Sequence, residues 1–133
     1  MTTGSLKKFT LGTKERLKSK KKIQALFSLG KVTNISPFRV IHLLENDNTP
    51  LQFGVAVGTR QFKKAVDRNR IKRLIREVYR LQKNELKELL VTKQKSLSFF
   101  IIYTGKTIPE YGLMFDKMGK TLQKLAEEIH AQT

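Results

Sequence analysis

The feature that most constrains this chain is a change of hydrophobic period just after Gly58. FGVAVG (53–58) reads as a strand, with period two, whereas from about Lys63 or Val66 to Leu90 the apolar residues recur every 3.6 positions. A strand feeding a long amphipathic helix calls for a sheet with helices packed on it. At 133 residues and 39% hydrophobic composition, the chain can bury one core but not two. The expectation is therefore an α+β fold in a single domain over 14–133, preceded by a flexible arm at 1–13. That arm carries Gly4, Gly12, Thr2, Thr3 and Ser5.

The rest of the chain fills in around this helix. Ser19 is an N-cap for a helix over 20–29, with Ile23, Leu26 and Phe27 on one face and Gly30 as the stop. FRVIHLL (38–44) is rich in strand formers, and the turn cluster 46–50 should return it antiparallel into 53–57. LSFFIIY (97–103) is apolar on both faces, as an interior strand is. A last helix over about 110–131 carries Phe115, Met118, Leu122, Leu125 and Ile129 at spacings of 3 and 4; this stripe packs on the domain's own sheet more naturally than in a dimer seam. The order is α-β-β-α-β-α.

Within the long helix lies RNRIKRLIREVYR (68–80), where Arg68, Arg70, Lys72, Arg73, Arg76 and Arg80 stand against the single acid Glu77. Turning residues 66–87 by about 100° each gathers Ile71, Leu74, Ile75, Val78 and Leu81 in a core sector. The opposite side collects Asn69, Lys72, Arg73, Arg76, Arg80, Lys83 and Lys87, with Arg68 and Arg70 on the flanks. A solvated helix face ordinarily alternates charge, because like charges four residues apart repel by a few tenths of a kcal/mol. The row Lys72, Arg76, Arg80 has one sign only. Arginine's planar fork binds phosphate oxygens in pairs and stacks on bases, so this face is shaped for a polyanion.

The whole chain repeats the bias, with 27 Lys+Arg against 11 Asp+Glu and a net charge of +16. Such an excess repels itself and is tolerable once a partner neutralises it. Lys14, Arg16, Lys18, Lys20, Lys21 and Lys22 form a second basic cluster, and Arg60, Lys63 and Lys64 a third, a spread suited to a folded RNA or a duplex. No helix-turn-helix spacing, zinc ligands or basic-zipper heptads accompany the arginine helix, which favours RNA over DNA. No run approaches the roughly 18 apolar residues of a membrane span and MTTGSLKKF lacks an apolar signal core, so the expected location is the cytoplasm, away from any membrane. Without Cys, and with only His42 and His130, disulfides and zinc sites are not expected.

AVDRNRIKRLIREVYR (65–80), following FGVAVG and preceded by a basic helix carrying KIQALF, closely resembles the protein subunit of bacterial ribonuclease P, in the same order of elements over about 15–130. The resemblance implies a sheet of about four mixed strands with three helices, including a left-handed parallel crossover against the usual right-handed rule. It implies a protein that assists a catalytic RNA, with Mg²⁺ held mainly by that RNA, in hydrolysing the phosphodiester between the 5′ leader and precursor tRNA. Arg68, Asn69, Arg70, Lys72, Arg73, Arg76 and Arg80 would contact the catalytic RNA. A cleft between the first helix and the sheet would hold the single-stranded leader, using Ile23, Phe27, Phe38, Thr59, Arg60 and Lys63. The chain departs from the family pattern at Ile23, where an aromatic is usual, around Ile41 and His42, where a tyrosine is, and in GTRQFKKAV (58–66), which is one residue longer.

No residue of the chain itself is expected to be catalytic. Asp67 meets the helix dipole at the helix start, and neither histidine has an acid pattern around it. The protein is expected to be monomeric within the holoenzyme. The rival classes are a non-catalytic RNA-binding protein such as a ribosomal component, and a nuclease with its own active site.

Overall fold

The structure, a computed structural model, describes residues 16–17, 19–46 and 50–132; the expected arm at 1–13 lies outside them. The elements in chain order are helix α1 (Lys20–Leu29), strands β1 (Lys31–Ile35), β2 (Phe38–Glu45) and β3 (Leu51–Val57), helices α2 (Ala65–Gln82) and α3 (Asn84–Lys93), strand β4 (Ser96–Tyr103) and helix α4 (Tyr111–Gln132). The α+β class and the four-stranded mixed sheet are as expected, with four helices among the described residues in place of three because the long helical stretch breaks at Lys83.

The pairing corrects the expected hairpin. The strand order is β1-β2-β4-β3: β2 runs antiparallel to β4, and β3 lies parallel to β4, joined to it through α2 and α3. The strand with the greasiest sequence on both faces takes an interior position and separates β2 from β3. The antiparallel partner of β2 on its other side is β1, through the turn at Ser36 and Pro37. β1 is short, polar and mostly exposed, so its side chains carry little alternation from which to read it.

The two sheet faces have different cover. One presents Phe38 and Val40, then Leu51, Phe53, Val55 and Val57, then Leu97, Phe99, Ile101 and Tyr103 to the main core, closed by Ile71, Ile75, Val78 and Tyr79 of α2, Leu86 and Leu90 of α3, and the α4 stripe. Phe53 lies at its centre, stacked on Tyr79 with ring centroids 4.1 Å apart and tilted against Phe99 at 5.0 Å. On α4 the inward residue of the first turn is Met114, while Phe115 remains partly exposed; on α2, Tyr79 is the buried one and Leu81 is exposed. In each helix the two residues stand on opposite edges of the apolar stripe, so a small rotation of the sector exchanges one for the other.

The opposite face is covered by α1. The Ser19 hydroxyl caps this helix by accepting from the Lys22 backbone N–H, and at Gly30 the N–H donates to the Leu26 carbonyl at 2.7 Å. A Cβ on Gly30 would lie 2.3 Å from that carbonyl and 2.8 Å from the Ile41 side chain, so the helix can turn down onto β2 only with glycine there. Leu26 is fully buried with Leu17 and Ile41, and Ile23, Leu43, Phe100 and Ile102 close the edge of this smaller cluster.

Candidate nucleic-acid interface

The arginine face is held up by the core beneath it. Ile71, Ile75, Val78 and Tyr79 are completely buried, which fixes the rotation of α2 about its axis and leaves Asn69, Arg70, Arg73 and Arg76 exposed and Lys72 half-exposed. Among the described residues none of Arg70, Lys72, Arg73 and Arg76 forms an ion pair with an acid. Arg76 has its pKa pushed below the usual guanidinium value, first by partial burial and then by the positive charge of Arg16. Arg16 is brought there because the chain at 16–17 lies along β3, where the Leu17 N–H donates to the Phe53 carbonyl at 2.9 Å. Two guanidiniums that repel each other in the free protein make a ready seat for a phosphate.

Two members of the expected set are already engaged within the protein. Arg68 Nη1 donates to the carbonyls of Phe62 and Lys63 at 2.7 and 2.8 Å, tying the β3–α2 loop to the first turn of the helix. Arg80 pairs with Glu77, its Nε donating to Oε2 at 3.3 Å, and that hydrogen bond raises its pKa. Lys83, which the wheel places outward, is buried at the α2–α3 break, where the helical phase ends.

The cleft residues divide between the two faces of the sheet. Phe27 is 48% exposed on α1, Ile23 is half-buried on the same helix, and Thr59, Arg60 and Lys63 are exposed along the loop that follows β3. Phe38 does not join them. It is only 1% exposed and points into the main core, because strand alternation puts it on the same side as Val40 and opposite Ile41. The aromatic that does sit beside Phe27 is Phe100 of β4, with ring centroids 5.5 Å apart at an angle of 58°. Phe100 is the ladder partner of Ile41. Its ring passes over Gly54, where a Cβ would come within 2.6 Å of it. The Phe99–Phe100 doublet was visible in the sequence, but which of the two faces α1 depends on the register of β4.

These features define an α+β domain with a cationic helix on one side of the sheet, suited to a polyanion, and a partly aromatic recess on the other. The sequence matches the Ribonuclease P family model over residues 11–129. It is 31% identical to the ribonuclease P protein component of Porphyromonas gingivalis over 123 residues, 91% of this chain and 90% of the relative, and 38% identical to that of Syntrophus aciditrophicus, covering 93% and 98%. The fold superposes on the RNase P protein from Thermotoga maritima with a TM-score of 0.66 at 23% identity, covering 83% of this chain and 96% of that one. The chain belongs to the ribonuclease P protein family, the protein subunits of the ribonucleoprotein endoribonuclease that processes tRNA 5′ ends.

Proposed function

We propose that the α2 face binds the catalytic RNA through Asn69, Arg70, Lys72, Arg73 and Arg76, and that the α1 side of the sheet binds the 5′ leader of precursor tRNA. The observation that carries the first assignment is that Arg70, Arg73 and Arg76, exposed and with no acid partner among the described residues, stand on a helix whose underside is locked in the core. A preset cationic row loses little conformational freedom on docking, so most of its charge-assisted hydrogen bonding appears as affinity. Arg16 widens the row, and Arg68 and Arg80 contribute mainly by shaping the helix.

In the leader cleft, Phe27 and Phe100 offer a stacking platform for unpaired bases, with Ile23 as an apolar wall and Thr59, Arg60 and Lys63 reaching the sugar-phosphate backbone. Stacking is tolerant of sequence, which suits a leader that differs from one precursor to the next, and contributes about 1 to 3 kcal/mol per base.

The described residues bring no three His, Asp or Glu side chains together where a metal ion could be held. In this proposal the Mg²⁺ ion that supplies the hydrolytic chemistry is held by the RNA. Among the described residues no helix is long and apolar enough to cross a membrane; a cytoplasmic location rests on the family, and one copy per holoenzyme is part of the same proposal.

The test is reconstitution with the catalytic RNA, comparing affinity for precursor and mature tRNA. The protein should raise affinity for the precursor selectively, and Phe27→Ala with Phe100→Ala should remove that preference while leaving mature tRNA binding unchanged. Cleavage of precursor by the protein and Mg²⁺ without RNA would overturn the reading in favour of a nuclease with its own site. Binding to catalytic RNA without any leader effect would make the chain an RNA-binding protein of the ribosomal type.

A further inference from the structure

On the side of α2 away from the leader cleft, the connection from β4 to α4 folds against the helix and leaves an open groove of about 820 Å³. Its floor is apolar, made by Leu74, Ile108, Pro109 and the ring of Tyr111, and Arg70 and Arg73 stand at its rim. Tyr111 is 47% exposed and Ile108 37%. Phe115, one turn along α4, extends the aromatic surface with its ring centroid 6.1 Å from that of Tyr111. Exposed aromatic rings beside unpaired arginines are a combination seldom left open to water without a partner.

We propose that this groove seats one unpaired nucleobase of the catalytic RNA, stacked on Tyr111, with Arg70 and Arg73 holding the phosphates on either side of it. The inference rests on the assignment of α2 to the catalytic RNA and adds a recognition element that charge alone does not supply.

Two acids in the groove narrow the occupant. Glu77 is turned to Arg80 by their ion pair and is neutralised there. Glu110, exposed at the groove wall, adds a carboxylate that would repel a second phosphate but can accept a hydrogen bond from a base amine or ring N–H. All four RNA bases carry such a donor, adenine, cytosine and guanine an amine and uracil its ring N3–H; a phosphate or a lipid headgroup phosphate does not. An apolar floor, a cationic rim and one acceptor together match a nucleotide better than they match a phosphate or an apolar peptide, which would leave the two arginines without a counter-charge. An arginine at the rim can also stack on the open face of the base, opposite the tyrosine ring.

The groove opens on the α2–α4 side, whereas Phe27 and Phe100 lie on the α1 side of the sheet. One RNA strand does not need to serve both, and the two sites can be separated by mutation. Titration of the catalytic RNA with wild-type protein, Tyr111→Ala and Tyr111→Phe at several salt concentrations tests the proposal. Tyr111→Ala should weaken binding by roughly 5- to 150-fold, the equivalent of about 1 to 3 kcal/mol for one stacked base, with the salt slope unchanged because no phosphate contact is lost. Tyr111→Phe keeps the ring and should stay within about twofold of wild type. Chemical probing should show one base shielded by wild-type protein and open to the reagent with Tyr111→Ala. Should circular dichroism show that Tyr111→Ala disturbs the fold, Ile108→Ser, at an exposed floor position, serves as the second variant and should weaken binding in the same salt-independent way.

Equal affinity of wild type and both floor variants, with no base changing its reactivity, overturns the groove assignment alone and would fit a site for an apolar peptide. A wild-type protein that fails to bind the catalytic RNA takes the assignment of α2 down with it.

Discussion

Helices α2 and α4 lie side by side over the same sheet face and bury the same kind of stripe, yet their outer surfaces differ. On α4, Asp116, Glu127 and Glu128 are mixed with Lys117, Lys120 and Lys124, and Glu128 accepts a hydrogen bond from Lys31 of β1 at 3.1 Å. This is the pattern of a helix whose charges answer to the protein and to water. On α2 the exposed arginines have no acid of their own among the described residues, so their compensation must come from outside. Burial is the same on both helices and says nothing of function; the sign pattern on the solvent side separates them.

The largest effect expected from this contrast is on RNA affinity. Replacing Arg70, Arg73 and Arg76 with alanine should weaken catalytic-RNA binding by about 10²- to 10⁴-fold, taking about 1 to 2 kcal/mol for each lost charged hydrogen bond, and should make the log-log salt slope shallower by about 2 to 3. Lys117, Lys120 and Lys124 replaced together on α4 should change affinity by less than about tenfold, through net charge alone. Equal losses from the two triple variants, read in the same titration, would erase the distinction between the helices. The wild-type slope itself should be roughly −4 to −5 if about six phosphates are neutralised.

On their undersides the helices should behave alike. Ile75→Ala in α2 and Met118→Ala in α4, both at completely buried positions, should each lower the unfolding free energy by about 2 to 5 kcal/mol in denaturant titration. A cost confined to one of them would mean that the shared core does not support both.

A smaller effect belongs to the α4 side only. His42 of β2 is buried, with neither ring nitrogen hydrogen-bonded among the described residues, and burial is the main cause holding its pKa below the ordinary 6.5; Lys31 adds to the lowering and Glu128 opposes it. The unfolded chain therefore takes up a proton at this site before the folded one does. Stability should be level above pH 6.5 and decline as the pH falls below it, until the folded-state pKa is passed. His42→Leu should flatten that decline; an unchanged pH profile in the variant would assign it to other groups.

Much of the α2 surface was legible in the sequence because a helix is a local object. Its period follows from residues three and four apart, and RNRIKRLIR displays both the buried stripe and the bare cations without reference to the rest of the chain. The capped first helix was legible for the same reason, with Ser19 and Gly30 at its ends. The proposed leader cleft was legible only in part, since Phe27 stands on a helix with a readable outer face, while Phe38 and Phe100 stand on strands whose role depends on which side of the sheet each residue faces.

The local order of the chain thus determined a cationic amphipathic helix, a capped first helix and a fully apolar interior strand, all set by neighbours a few residues apart. Tertiary structure alone decided that β4 would enter between β2 and β3, that β1 would pair at the edge, that Phe100 would stand beside Phe27 while Phe38 went to the core, and that Tyr111 would close a groove against Arg70 and Arg73. Those outcomes depend on hydrogen-bonded strand pairing and core packing between residues far apart in the chain, where a shift of one position exchanges the faces of a strand.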